Sequence, residues 1–172
     1  DNTRYANARM CQNFFGNPQR ELTLVAVTGT NGKTTTCALI EHYFKSNSYS
    51  YFINKSGANM ISGVATAFVA NSSVFGRCKK QYAIIECDEN SFPSISSYIS
   101  SKVVLVTNVF RDQLDRYGEI THTLEKIKTA INNMPDADLV LNADCPMTRS
   151  LAKYCSNNAY FFGTDINLKG AG

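Results

Sequence analysis

Val25-Ala26-Val27-Thr28-Gly29-Thr30-Asn31-Gly32-Lys33-Thr34-Thr35-Thr36 decides how the rest of the chain reads. An apolar strand ends there, two glycines turn the backbone, and a Lys-Thr pair opens a helix. Gly29 and Gly32 can take positive φ and let backbone N–H groups approach an anion that a Cβ would hold off. Lys33 can reach outer phosphates as a point charge, and the Thr34 hydroxyl is placed to ligate a Mg²⁺ that travels with a nucleoside triphosphate. The N-terminus of the following helix adds its own unpaired N–H groups and partial positive charge. The spacing is G-x-x-G-K-T rather than the longer G-x-x-x-x-G-K-T, because position 27 is Val.

Outward from this loop, short apolar segments alternate with helical patterns. Strands are predicted at Leu22–Thr28, Tyr49–Ile53, Tyr82–Glu86, Val103–Thr107, Leu139–Asn142 and Tyr160–Phe162, the last four read as covered on both faces. Helices are predicted at Thr34–Ser46, with Leu39, Ile40 and Tyr43 on one face, and at Ile61–Val69, Thr121–Met134 and Met147–Tyr154. The alternation implies an α/β fold, a doubly wound and mostly parallel open sheet carrying a phosphate loop. In such sheets ligands collect beyond the carboxyl ends of the strands. Four polar clusters follow strand ends here: Gly29–Thr34, Asn54–Asn59, Glu86–Asn90 and Asn108–Asp115.

Glu86 ends an apolar run, so its carboxylate emerges on the edge that carries the loop. It is a candidate second protein ligand for Mg²⁺, a hard cation that takes oxygen donors. Asp88 and Glu89 read either as a solvated acidic turn or as holders of waters or a cationic substrate group. After the fourth strand, Arg111 and Arg116 can clasp phosphate or carboxylate, with Asp112 or Asp115 orienting them. Lys55-Ser56-Gly57-Ala58-Asn59 offers a further backbone approach and an amide.

Composition narrows the alternatives. A chain of 172 residues, 44% hydrophobic and 18% charged, is the size of one domain, and such a chain buries roughly 70% of its unfolded surface. Its net charge of +3 is spread along the sequence and does not point to a nucleic-acid surface. No apolar run approaches the roughly 20 residues of a membrane span, and no apolar leader opens the chain, so a cytoplasmic protein is expected rather than an integral membrane one. Six cysteines without a C-x-x-C pair argue against zinc and for free thiols.

Gly-Thr-Asn-Gly-Lys-Thr resembles the loop of the Mur ligase superfamily, the ATP-dependent amide-forming enzymes of peptidoglycan assembly and folate polyglutamylation. Asn54–Met60, Ile85–Glu89 and Thr107–Glu119 together resemble its MurT branch, the ligase subunits of lipid II isoglutaminyl synthases. Leu141-Asn142-Ala143-Asp144, with Pro146, resembles the family's Asn-Ala-Asp-Asp-Pro segment. The likeness runs from about Leu22 to Gly163, while residues 1–21, read as a partly helical lead-in or linker, look more like the entry to the central domain of the MurE branch.

The resemblance implies a central ATP-binding domain over residues 22–172, ending before the C-terminal domain that completes a Mur active site, so that the chain alone is expected to be inactive. It implies ATP and Mg²⁺ as cofactors and activation of a carboxylate as an acyl phosphate, for amidation of D-glutamate in lipid II. A glutaminase subunit of the GatD type would supply the ammonia. The alternatives are a MurE-like synthetase adding an amino acid to a UDP-MurNAc-peptide, and a nucleotide-binding relative without ligase activity. Carried over by position, the nucleotide set is Gly29, Thr30, Asn31, Gly32, Lys33, Thr34, Thr35, Asn59, Asn108 and Arg111. Lys33 and Glu86 form the catalytic pair, and Thr34 and Glu86 the Mg²⁺ ligands. Gln113 stands where many family members have a metal-binding His, Cys145 replaces the second Asp of the Asn-Ala-Asp-Asp-Pro segment, and Lys126 and Lys128 straddle the place of the family's carbamylated lysine.

Overall fold

The computed structural model describes residues 22–54, 57–73, 75, 77–78, 80–110 and 119–164. In chain order the elements are β1 (Thr23–Thr28), α1 (Lys33–Ser46), β2 (Tyr51–Ile53), α2 (Ile61–Ala70), β3 (Tyr82–Glu86), α3 (Phe92–Ser96), β4 (Val103–Val106), α4 (Glu119–Asn132), β5 (Asp138–Asn142), α5 (Pro146–Tyr154) and β6 (Ala159–Phe162). The six strands form one sheet in the order β2-β3-β1-β4-β5-β6, and every pairing is parallel. The expected doubly wound α/β fold is what the chain adopts.

Strand β1 runs up the middle because both its faces are apolar. Leu24 and Ala26 point into one core with Ile85, Val104, Val106, Ile127 and Ile131. Val27 points into the other with Cys37 and Ile84, against Ile40 and Phe44 of α1. From β1 the chain builds β2 and β3 to one side, then crosses to build β4, β5 and β6 on the other. The carboxyl end of β1 is therefore the point where strand order reverses, and a crevice opens there. Val27 lies level with Glu86 of β3 and Thr28 level with Val106 of β4, so three polar loops leave the sheet side by side.

Two expectations need correction. The buried face of α1 is Cys37, Ile40 and Phe44, not Leu39, Ile40 and Tyr43; Leu39 is 67% exposed and Tyr43 58%. The helix starts at Lys33, directly out of the loop, and that start sets its phase; Phe44 then packs among Tyr49, Tyr51 and Tyr82. Strand β6 is an edge with Tyr160, Phe161 and Phe162 exposed, not a strand covered on both faces. Helix α3 lies where no element is predicted: Pro93 fits a helix start, and Phe92 and Ile95 anchor it in the core.

Candidate functional site

The loop between β1 and α1 is shaped by the strand beside it. Gly29 takes φ +124° and Gly32 φ +83°. Thr30 N–H donates to the Asn108 carbonyl at 2.8 Å, Asn31 N–H to Asn108 Oδ1 at 3.0 Å, and the Thr107 hydroxyl to the Asn31 carbonyl at 2.6 Å. Thr30 Oγ1 in turn accepts Phe110 N–H at 3.1 Å. Asn108 thus reaches the back of the loop and fixes its curvature. No side chain caps the N-terminus of α1, whose first turn carries Lys33, Thr34 and Thr35 at the mouth of the crevice.

A cavity of about 370 Å³ opens over this turn, lined by residues of the loop, by Gly57 and Asn59 beyond β2, and by Glu86. It brings together the candidates Thr30 to Thr35 of the loop with Asn59 and Glu86 from other segments, whereas the candidates Gly29 and Asn108 are not among its lining residues. Inside it the Thr34 hydroxyl donates to Glu86 Oε2 at 3.1 Å. Two hard oxygen donors from different elements therefore meet at one point, which is the chemistry a Mg²⁺ ligand pair requires. Among the described residues no cluster of three His, Cys, Asp or Glu side chains is arranged to hold a metal ion, so such an ion would keep mostly water and phosphate ligands.

Glu86 is 5% exposed and is positioned by its backbone. Asn54, buried just past the end of β2, accepts Glu86 N–H at 2.8 Å and donates to the Glu86 carbonyl at 2.9 Å. Its amide also donates to the Ala58 carbonyl at 2.8 Å. One side chain thereby extends the β2–β3 ladder by a rung after β2 has turned away, and ties the Gly57–Asn59 segment to Glu86. In the sequence Asn54 carries one signal of this role, a polar residue directly after an apolar strand.

Lys33 folds back over its own loop. Its ammonium donates to the Gly29 carbonyl, to the Thr30 carbonyl at 3.3 Å and to Glu89 Oε2 at 3.2 Å. The acidic turn after β3 is thus neither wholly solvated nor uniform. Asp88 accepts Asn90 and Ser91 N–H through Oδ1 and shapes the turn, while Glu89 pairs with Lys33. Lys126 of α4 donates to Asn90 Oδ1 at 2.7 Å, whereas Lys128 pairs with Glu125 and lies over the Tyr154 ring.

Burial pushes the Cys37 thiol up to about 12, with the nearby Glu86 and Glu41 carboxylates adding to it. Burial likewise raises Cys87, behind Glu86. Both are inert walls rather than nucleophiles. Arg111, together with Lys55, Ser56, Asp112, Gln113, Asp115, Arg116 and the lead-in 1–21, lies outside the described residues.

A phosphate-type loop at a sheet's switch point, facing a strand-end carboxylate, narrows the family sharply, and the Mur ligase middle domain matches residues 27–170. The chain belongs to the Mur ligase family. It is 46% identical over 144 residues to the lipid II isoglutaminyl synthase (glutamine-hydrolyzing) subunit MurT of Streptococcus pneumoniae, covering 83% of this chain and 31% of that protein. It is 39% identical over 140 residues to the corresponding subunit of Staphylococcus aureus, covering 81% and 31%. Among solved structures, the MurF ligase of Thermotoga maritima in complex with ADP superposes with a TM-score of 0.74 at 23% identity, over 94% of this chain and 37% of that one. The chain thus spans about a third of the length of the relatives it matches. Among the described residues no helix is long and apolar enough to cross a membrane.

Proposed function

We propose that residues 22–172 are the ATP-binding central domain of a peptidoglycan ligase, one that activates a carboxylate as an acyl phosphate for amidation of D-glutamate in lipid II. The observation that carries the nucleotide part is the convergence of Lys33, Thr34 and Glu86 on one cavity beside a loop with two positive-φ glycines. The 46% identity to a MurT subunit supports the amidating branch. That relative is by name a subunit of a glutamine-hydrolysing synthase, which supports a glutaminase partner for this chain too.

In this reading the loop N–H groups and the Lys33 ammonium bind the β- and γ-phosphates. Thr34 and Glu86 would hold Mg²⁺, which neutralises phosphate charge when bound. A substrate carboxylate oxygen attacks the γ-phosphorus and ADP leaves. Ammonia then attacks the acyl carbon, inorganic phosphate departs, and a proton is lost to give the amide. No protein nucleophile is required: positioning and charge neutralisation do the catalytic work. Asn59 and Glu86, which line the same cavity, would face the phosphates from its far wall.

Thermal unfolding with Mg·ATP tests the nucleotide part. At a concentration about 100 times its Kd, a ligand adds about 2.7 kcal/mol, a rise in Tm of about 5–10 °C for a chain of this size. No rise, or the same rise in Lys33→Ala, overturns it. The amidation part is tested by replacing the matching segment of the S. pneumoniae subunit with this chain. ADP release that depends on both lipid II and ammonium supports it, and nucleotide binding without such release overturns it.

A further inference from the structure

Two carboxylates divide the work at the loop: Glu86 lines the cavity, and Glu89 reaches the loop lysine from the turn after β3. Glu86 faces the Thr34 hydroxyl, whereas Glu89 faces the Lys33 ammonium, and both members of that second pair are largely buried, their side chains 12% and 16% exposed. Glu89 is presented by a fixed turn. Asp88 N–H donates to the Asn59 carbonyl at 3.0 Å, Asp88 Oδ1 accepts the Asn90 and Ser91 N–H groups, and Asn90 is held by Lys126 of α4. Lys33 is thereby satisfied three times over, by two loop carbonyls and one carboxylate, with its charge turned away from open solvent.

We propose that Glu89 is a displaceable counter-ion of Lys33, a positioning residue that keeps the ammonium folded onto its own loop until a polyphosphate competes it away. The inference rests on the nucleotide reading of the loop and adds a partner for its lysine. An incoming triphosphate carries several anionic oxygens against one carboxylate, so it wins the ammonium. When the terminal phosphate leaves, Glu89 recovers it, and the contact favours product departure over product retention. The exchange is purely electrostatic and requires no bond to form or break.

The test measures binding of inorganic tripolyphosphate without metal by calorimetry, in the full chain and in Glu89→Gln, Lys33→Ala and the double variant. Glu89→Gln keeps size and leaves the bonds of Asp88 and Asn90 in place, so the turn persists; Glu89→Asp, which keeps the charge but shortens the reach, is the companion variant. Removing the competitor should tighten tripolyphosphate binding about fivefold, the size of a strong partly exposed ion pair. Glu89→Asp should fall between the two. In the Lys33→Ala background the same change should alter affinity by less than about twofold, because the coupled partner is gone. Unchanged or weaker binding in Glu89→Gln overturns the proposal, and so does an equal gain in both backgrounds, which would make Glu89 only a nearby negative charge. If no variant binds tripolyphosphate, the nucleotide reading falls and this inference falls with it. If wild type binds and Lys33→Ala does not, that reading stands whatever Glu89 does.

Discussion

Replacing Gly29 by alanine asks whether the loop is held by its neighbours or merely permitted by its glycines. A Cβ on Gly29 would stand 2.6 Å from the Asn108 carbonyl oxygen and 3.0 Å from the Asn108 nitrogen, and closer still to the Thr107 hydroxyl. None of these can swing aside, since two are backbone of the segment after β4 and the third is engaged with the Asn31 carbonyl. The loop would have to lift off, losing the Thr30–Asn108 and Asn31–Asn108 bonds. Each costs about 1 kcal/mol, and the positive φ adds about 1–3 kcal/mol of strain for a non-glycine residue. Gly32 has a comparable φ of +83° but nothing nearer than 3.9 Å, so Gly32→Ala carries the backbone strain alone. Gly29→Ala should therefore destabilise by about 3–5 kcal/mol and Gly32→Ala by about 1–3 kcal/mol, or about 12 °C against about 6 °C in Tm. Urea unfolding of both variants, with unchanged m-values, gives the comparison. Equal losses would refute the view that β4's exit segment moulds the loop.

Glu86→Gln keeps the shape of the group that accepts from Thr34, so apo stability should hold within about 0.5 kcal/mol. Affinity for Mg·ATP should fall while ATP in EDTA is affected much less; equal losses in both, or a large drop in apo Tm, would make Glu86 structural. Stability should also decline as pH rises through the range from 9 to 12, because the Cys37 thiol is raised from 9.0 to about 12 in the folded chain while an unfolded thiol ionises from 9 upward. The stabilisation is complete below the unfolded value and is lost toward the folded one, at up to about 1.4 kcal/mol per pH unit per thiol. Cys37→Ala should flatten the decline measured by chemical unfolding across pH 8–10, where an unfolded thiol with its ordinary pKa of about 8.5 ionises; an unchanged slope would show that Cys37 is not the titrating group.

The strand runs were legible because a buried parallel strand must be apolar along its whole length, and Tyr82–Glu86 matches its expected bounds. Alternation of such runs with helices leaves few topologies, which is why the sheet and its crevice could be anticipated. Side-chain phase was less accessible. Leu39, Ile40 and Tyr43 satisfy a helical period as well as Cys37, Ile40 and Phe44 do, and only the start at Lys33, imposed by the loop, selects the second set. Pairings across the sheet were the least accessible. Asn54 and Glu86 are separated by 32 residues, and Lys33 and Glu89 by 56. Nothing local distinguishes Glu89, which pairs with the loop lysine, from Asp88, whose carboxylate is spent on its own turn. Both stand in one acidic run, and the difference arises only once β3 lies beside β1 and brings the turn over the β1–α1 loop. Charge at such an edge can be read from sequence as a group, but its division into a threonine-facing carboxylate, a lysine-facing one and a turn-forming one is set by strand register. A one-residue slip of β3 would reverse the face on which Glu86 emerges and leave Thr34 without its partner.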